Sequence, residues 1–276
     1  MPVLYLVATP IGNLEDISLR ALRTLREVSL IAAEDTRHTR RLLKAYDITT
    51  PLTSYHEHNK LTKLDYILEC LQNGDVAVVS DAGMPGMSDP GYELVAAAAE
   101  RRIPVVPVPG ASSVITALVV SGLPTDRFAY LGFLPRKAGV RRRMVESVSG
   151  EPGTIIILEA PHRLRDTLTD LRQVLGDRQL AVCRELTKVY EEIFRGVISE
   201  ALAHFTEPRG EFTLVIAGSP VEKAAPQLTG VVLERLRDMR RSGATAKEAV
   251  AQVVAETGLS RKEVYRAWIQ AVDIRT

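Results

Sequence analysis

Residues Ser80 to Gly91 read SDAGMPGMSDPG: three Gly, two Pro, two Asp, two Met and no Lys or Arg. This stretch follows an apolar run, Val76–Val79, and precedes a helical pattern from Tyr92 to Arg101. Strand, pliant loop and helix in succession mark where open α/β sheets hold ligands. A phosphate cradle would bring the Walker spacing with its Lys, or GxGxxG at the first strand-to-helix turn. Neither is present, and that first turn, VATPIGNLED, has one Gly and no cation. A nucleoside triphosphate therefore fits poorly. Asp81 and open backbone suit a neutral or cationic ligand carrying hydroxyls and an amine. Gly83 and Gly86 let the backbone come close, and Met84 and Met87 offer soft apolar contact. In a third loop, VPVPGASSVITAL, Ser112 and Ser113 could bond a ligand or cap the helix beginning near Val114.

These loops need elements to position them. The 276 residues are 46% apolar, with a net charge of +1. Val3–Ala8, Leu30–Ala33, Leu52–Tyr55, Val76–Ser80 and Pro104–Val108 read as strands separated by helical patterns, which predicts a mainly parallel sheet. Their continuous apolar character fits strands covered on both faces. Asp16 is the expected N-cap of the first helix. After SGLPTDR, the runs FAYLGF, TIIILE, LAVCRE, EIFRGV and FTLVIAG predict a second α/β domain. The end of the chain is helical, with Thr245 and Ser260 at N-cap positions and Gly258 closing the middle helix. The expected division is an N-terminal α/β domain over 1–123, a second over 124–220 and a helical, helix-turn-helix-like domain over 227–276. No apolar stretch is long enough to span a bilayer, and MPVLYLVATP lacks the marks of a signal peptide. Cys70 and Cys183 are isolated thiols, expected reduced, non-ligating and cytoplasmic.

Taken together, LVATPIGNLEDIS, AAEDTRHTRRLL, SYHEHN, VSDAGMPGMSDPG, VPGASS, LGFLPR and RELTK resemble the tetrapyrrole methylase superfamily. Within it they resemble the branch that methylates the ribose 2'-oxygen of a cytidine in 16S rRNA (C1402 in rRNA numbering). The resemblance implies two α/β domains of the class III methyltransferase type with S-adenosylmethionine bound in the cleft between them. It answers what the cation-free loop is for: the ligand would carry a sulfonium, an α-amine and ribose hydroxyls. Carried over by motif, Pro10 would lie beside the cofactor. Asp81, Ala82, Gly83 and Met87 would form the central loop, and Ser112 and Ser113 the third. Leu158, Glu159, Leu186 and Ala217 would close over adenosine and methionine. Met84 stands where near relatives usually have Thr.

Other polar clusters take their meaning beside that cleft. Glu34, Asp35 and Arg37, at a strand end, suit substrate positioning or acid–base work, whereas Arg41 and Lys44 read as a solvated helix face. His56 and His58 flank Glu57, but a zinc site needs a third convergent donor and none is nearby. A polar contact to RNA, or a hydrogen-bonded wall of the cleft, fits better, and no metal is expected. Arg136, Lys137, Arg141, Arg142 and Arg143 form a basic run after a presumed cleft strand, suited to phosphates. Methyl transfer from a sulfonium is an in-line displacement in which positioning supplies much of the acceleration. A base would help further, and Asp35, Glu185 and Lys188 are its candidates, between which the sequence does not choose.

Residues 227–276 hold nine Lys/Arg against six Asp/Glu. An A-form groove does not admit a reading helix, so this tail is expected to grip phosphates and shape in the small ribosomal subunit. The resemblance also implies a homodimer. The alternative is a same-fold enzyme acting on a tetrapyrrole-like small molecule or a modified protein side chain. The basic run and the tail argue against it, since a small substrate requires neither. A non-catalytic RNA-binding protein is a further alternative, against which the intact Gly, Pro and Asp loops speak.

Overall fold

The computed structural model describes residues 2–56, 59–220 and 228–270. The chain divides into two compact units, Met1–Ser219 and Pro220–Thr276. The first unit contains two five-stranded sheets.

The first sheet comprises β1 (Leu4–Val7), β2 (Leu30–Ala33), β3 (Leu52–Ser54), β4 (Val76–Val79) and β5 (Val105–Val108), ordered β3-β2-β4-β1-β5. Every pairing in it is parallel. Alternation along each strand explains the unbroken apolar runs. Leu30, Ala32, Val76 and Val78 face α3 (Lys60–Asn73) and α4 (Tyr92–Glu100). Ile31, Ala33, Ala77 and Val79 face α1 (Leu19–Glu27) and α2 (Thr36–Ala45). With helices on both sides, apolar residues are required at every strand position. α1 starts two residues later than an Asp16 cap would place it. Asp16 ends a 3-10 turn, Leu14–Asp16, and the Ser18 hydroxyl accepts the Ala21 N–H at 3.1 Å.

The second sheet comprises β6 (Phe128–Phe133), β7 (Thr154–Glu159), β8 (Gln179–Arg184), β9 (Glu192–Val197) and β10 (Phe212–Ile216), ordered β6-β7-β10-β8-β9. Only β6 and β7 run parallel; β10 is antiparallel to both β7 and β8, and β9 is antiparallel to β8. One face packs on α6 (Ala138–Ser147), α7 (Leu164–Leu175) and α8 (Ile198–His204) through Ile155, Ile157, Leu168 and Leu214. The other face is covered by α5 (Ser113–Ser121), whose Val114, Ala117 and Leu118 meet Ile156, Ala181, Cys183 and Val215. The helix that follows β5 thus binds the two sheets together.

The second unit holds α9 (Gly230–Arg241), α10 (Ala246–Thr257) and α11 (Arg261–Gln270) around Leu236, Val250, Val253, Val264 and Trp268. Thr245 and Glu248 form a capping box, Gly258 takes a left-handed φ of 70°, and Ser260 pairs reciprocally with Glu263. Each end of the turn between α10 and α11 is therefore specified locally. Among the described residues, no helix is long and apolar enough to cross a membrane.

Candidate active site

Parallel strands put the loops after β1, β2, β4 and β5 on one edge of the first sheet. The loop Ser80–Gly91 is pinned there to the loop after β1: Thr9 and Gly83 exchange backbone hydrogen bonds at 2.9 and 3.0 Å, and the Thr9 hydroxyl donates to the Ser80 carbonyl at 3.1 Å. Gly83 has φ +78°, a left-handed conformation that glycine adopts without strain. Gly110 approaches β1 so closely that an added Cβ would lie 3.0 Å from that of Ala8.

Opposite these loops stands the edge of the second sheet where β7 and β8 end and the antiparallel β10 begins. Between the two edges is a cavity of about 350 Å³. Asp81, Ala82, Gly83, Met87, Ser112, Ser113, Leu158, Glu159 and Leu186 all line it. Two other expected residues do not. Pro10 is buried behind the wall, which Ile11 supplies instead. Ala217 lies at the far end of β10, its N–H bonded to Gln179 at the start of β8. Because β10 runs opposite to β7, its first residues reach the cavity and its last do not; Glu211, Phe212 and Thr213 are the lining residues. Met84 lines it too, and Glu34, Asp89, Tyr130, Phe133 and Cys183 add to the wall where the sequence alone points to no cofactor contact. A larger depression of about 590 Å³, around Asp65, Arg101 and Pro104, contains none of these loops.

Five acidic residues line the cavity: Glu34, Asp81, Asp89, Glu159 and Glu211. Among the described lining residues there is no Lys, Arg or His. The carboxylates differ in what already holds them. The Asp81 N–H donates to Glu34 Oε2 at 3.2 Å, and Asp81 Oδ1 accepts the Asp35 N–H at 3.0 Å. Burial raises the Glu34 carboxyl above its ordinary range, against the pull of the Asp81 N–H. Burial, with repulsion from Glu34 and Asp81, pushes Asp89 up to about 7, against the pull of the nearby Ser80 hydroxyl. Glu159 is turned inward: its side chain is 0% exposed and takes hydrogen bonds from the Ala160 N–H at 2.9 Å and the Thr167 hydroxyl at 2.5 Å, with Arg163 at 3.4 Å. It forms part of the wall and supports the turn after β7. Burial also raises the Cys183 thiol to about 11.

The three residues expected as bases stand outside this cavity. Asp35 is the N-cap of α2, accepting the Arg37 N–H at 2.8 Å and gripped by the Arg37 guanidinium at 2.7 Å, which hold its carboxyl far below the usual range. Lys188 bridges Glu185 at 3.0 Å and Glu211 at 2.8 Å. Burial works against its charge, yet both carboxylates raise its pKa and keep it protonated. Burial likewise opposes the charge on Glu185, but the Glu211 N–H and Lys188 bring it below its ordinary value. This cluster ties two segments together: Asn13 donates its N–H to the Thr187 hydroxyl at 3.0 Å, and a Cβ on Gly12 would meet Lys188 Cγ at 2.5 Å.

The basic run divides as sharply. Arg141 is buried, its side chain 6% exposed, and doubly bonded to Asp170 at 2.7 Å. It fastens α6 to α7 and is not open to phosphate. Arg142 leans on the same Asp170 at 3.6 Å. Arg136, Lys137 and Arg143 are exposed, following Phe133 at the cavity rim. Arg37 is also exposed, though tied to Asp35. His56 is half-buried, its N–H held by Asn59 at 2.8 Å, and its ring lies near enough to Glu34 to favour that carboxylate. His58 lies outside the described residues. Among those described, no group of three His, Cys, Asp or Glu is arranged to hold a metal.

The profile of the Tetrapyrrole (Corrin/Porphyrin) Methylases matches residues 3–202. A relative from Synechocystis named ribosomal RNA small subunit methyltransferase I is 51% identical over 270 residues, spanning 96% of this chain and 97% of its own. One of the same name from Bacillus subtilis is 46% identical, over 97% of this chain and 94% of its own. In fold, the chain is similar to uroporphyrin-III C-methyltransferase from Thermus thermophilus complexed with S-adenyl homocysteine. That match has a TM-score of 0.56 and 19% identity, and covers 79% of this chain and 97% of that one.

Proposed function

Because the chain belongs to the tetrapyrrole methylase family, and within it to the ribosomal RNA small subunit methyltransferase I group, we propose that it transfers a methyl group from S-adenosylmethionine to a cytidine ribose 2'-oxygen in 16S rRNA, C1402 in rRNA numbering. The observation that carries this reading is the cavity wall, rich in carboxylates and free of cations among the described residues. A sulfonium and an α-amine are stabilised there, whereas a triphosphate is repelled.

The residues present fit that cofactor. Asp81 offers its remaining carboxylate oxygen to an amine or hydroxyl. The backbone of Ala82 and Gly83 gives hydrogen-bonding edges, and Met84, Met87, Leu158 and Leu186 give apolar contact. Bound there, the cofactor would supply an electrophilic methyl and a neutral leaving group. The protein then has to hold the ribose in line and keep water away. Arg136, Lys137 and Arg143, exposed in the segment that follows Phe133 in the chain, provide phosphate contacts for a chain too large to enter the cavity. Arg237, Arg241, Arg261, Lys262 and Arg266, all exposed in the second unit, offer more. Such a substrate places the protein's work in the cytoplasm. The free edges β6 and β9 of the second sheet favour a homodimer, which sedimentation at micromolar concentration checks.

The test is methyl transfer to 30S subunits and to free 16S rRNA, followed by mapping of the modified nucleotide. The expected product is one 2'-O-methylated cytidine. A base-methylated product, or transfer only to small molecules, would contradict the proposal.

A further inference from the structure

We propose that Asp89 accepts the proton of the ribose 2'-hydroxyl during methyl transfer, an assignment that rests on the function argued above. Four of the five lining carboxylates are already committed. Glu34 takes the Asp81 N–H, Asp81 takes the Asp35 N–H, Glu159 serves Ala160, Thr167 and Arg163, and Glu211 holds Lys188. The Ser80 hydroxyl, which donates to the Ala82 and Gly83 carbonyls at 3.3 and 3.4 Å, is the polar neighbour that favours the Asp89 carboxylate. Among the described residues Asp89 is the lining carboxylate engaged by neither a cation nor a backbone N–H.

Its backbone is also fixed. Ser88, just before it, takes φ +65° and its hydroxyl meets the Tyr130 hydroxyl at 2.7 Å. Pro90 follows, and Gly91 packs on Gly86 so tightly that a Cβ would come within 3.2 Å. The turn is thus held on both sides of Asp89, which stands on the cavity wall.

Electrostatics favour the same role. Asp89 is faced by Glu34 from the end of β2, by Asp81 and Ser80 from its own loop and by Tyr130 from β6, with His56 acting on Glu34 from the loop after β3. Burial and these like charges hold its pKa near 7. A base is most effective near the working pH. A cation entering the cavity lowers that pKa, so the base becomes ionised when the methyl donor is in place. As the oxygen–methyl bond forms, the sulfur–methyl bond breaks and its electron pair stays on sulfur. The 2'-hydroxyl proton passes to an Asp89 oxygen. The sulfonium charge and the carboxylate charge disappear in one step, leaving a neutral thioether and a carboxylic acid.

The test compares the wild-type protein with Asp89→Asn and Glu34→Gln, under single turnover on 30S subunits across pH, with S-adenosylmethionine affinity measured by calorimetry. Asp89→Asn should lower the transfer rate by roughly 10²–10⁴-fold and abolish the rise of rate with pH. Glu34→Gln, which removes one repelling charge, should shift that rise to lower pH. Transfer by Asp89→Asn within about threefold of wild type, or a persisting rise, overturns the assignment and leaves the function standing. Should Asp89→Asn fail to fold, an unmoved pH profile in Glu34→Gln overturns it equally. Absence of transfer by the wild-type protein overturns the function and the assignment together.

Discussion

The two sheet edges that face each other across the cavity both present carboxylates, and they use them in opposite ways. On the second sheet, Glu159 is closed in by Ala160, Thr167 and Arg163, and Glu185 and Glu211 share Lys188. On the first sheet, Glu34, Asp81 and Asp89 crowd together with backbone N–H groups and a hydroxyl as partners, and two of them are pushed upward in pKa. One edge has spent its charge on holding the fold, while the other keeps it unneutralised, as a site awaiting a cation does. Residue type is the same on both edges; the partner decides.

The largest effects should come from breaking the committed pairs. Glu159→Ala leaves the Thr167 hydroxyl without its acceptor and the Arg163 guanidinium without its counter-ion, and Arg141→Ala leaves Asp170 buried against only a long contact to Arg142. Each should lower stability by about 3–5 kcal/mol, read by urea denaturation. A loss confined to cofactor or RNA affinity, with stability unchanged, would erase the contrast between the two edges.

On the uncommitted edge the expected effect has the opposite sign. Asp89 has a folded pKa near 7 against an ordinary 3.8, so the folded protein holds a proton that the unfolded chain releases. Its contribution is most favourable below about 4 and is lost as pH rises through 7. Asp89→Asn should therefore melt higher than wild type at pH 8, and the difference should vanish at low pH. Lower melting at pH 8 would mean that Asp89 is a committed group after all.

The exposed members of the basic run should give the smallest change. Arg143→Ala is expected to alter stability by no more than about 0.5 kcal/mol. It should reduce the salt dependence of RNA binding by about one unit of slope, measured by filter binding over a salt series. An unchanged slope would remove Arg143 from the RNA path.

Much of this was legible in the sequence because it is local. Covered strands show as unbroken apolar runs, and Gly83, Gly86 and Gly91 announce a loop with left-handed turns. Asp16 and Ser18 are both good caps for α1, and only the 3-10 turn chooses Ser18. Strand direction is not written in a strand's composition. Ala217 therefore seemed a lining residue, when the antiparallel β10 brings Glu211 to Thr213 to the cavity. Nothing within RRR tells that Arg141 alone turns to Asp170, since the partner is 29 residues away. Asp35 and Lys188 looked like bases for the same reason: Arg37, Glu185 and Glu211 neutralise them through contacts that only the fold reveals.

The central claim, that unneutralised carboxylates at the first edge select a cationic cofactor, is tested most directly by calorimetric titration of wild type and Asp81→Ala with S-adenosylmethionine, and of wild type with ATP. Wild type should bind S-adenosylmethionine and not ATP. Asp81→Ala should bind S-adenosylmethionine more weakly by about 1.5–3 kcal/mol. Equal affinity in the two proteins, or ATP binding comparable to that of S-adenosylmethionine, would contradict the account.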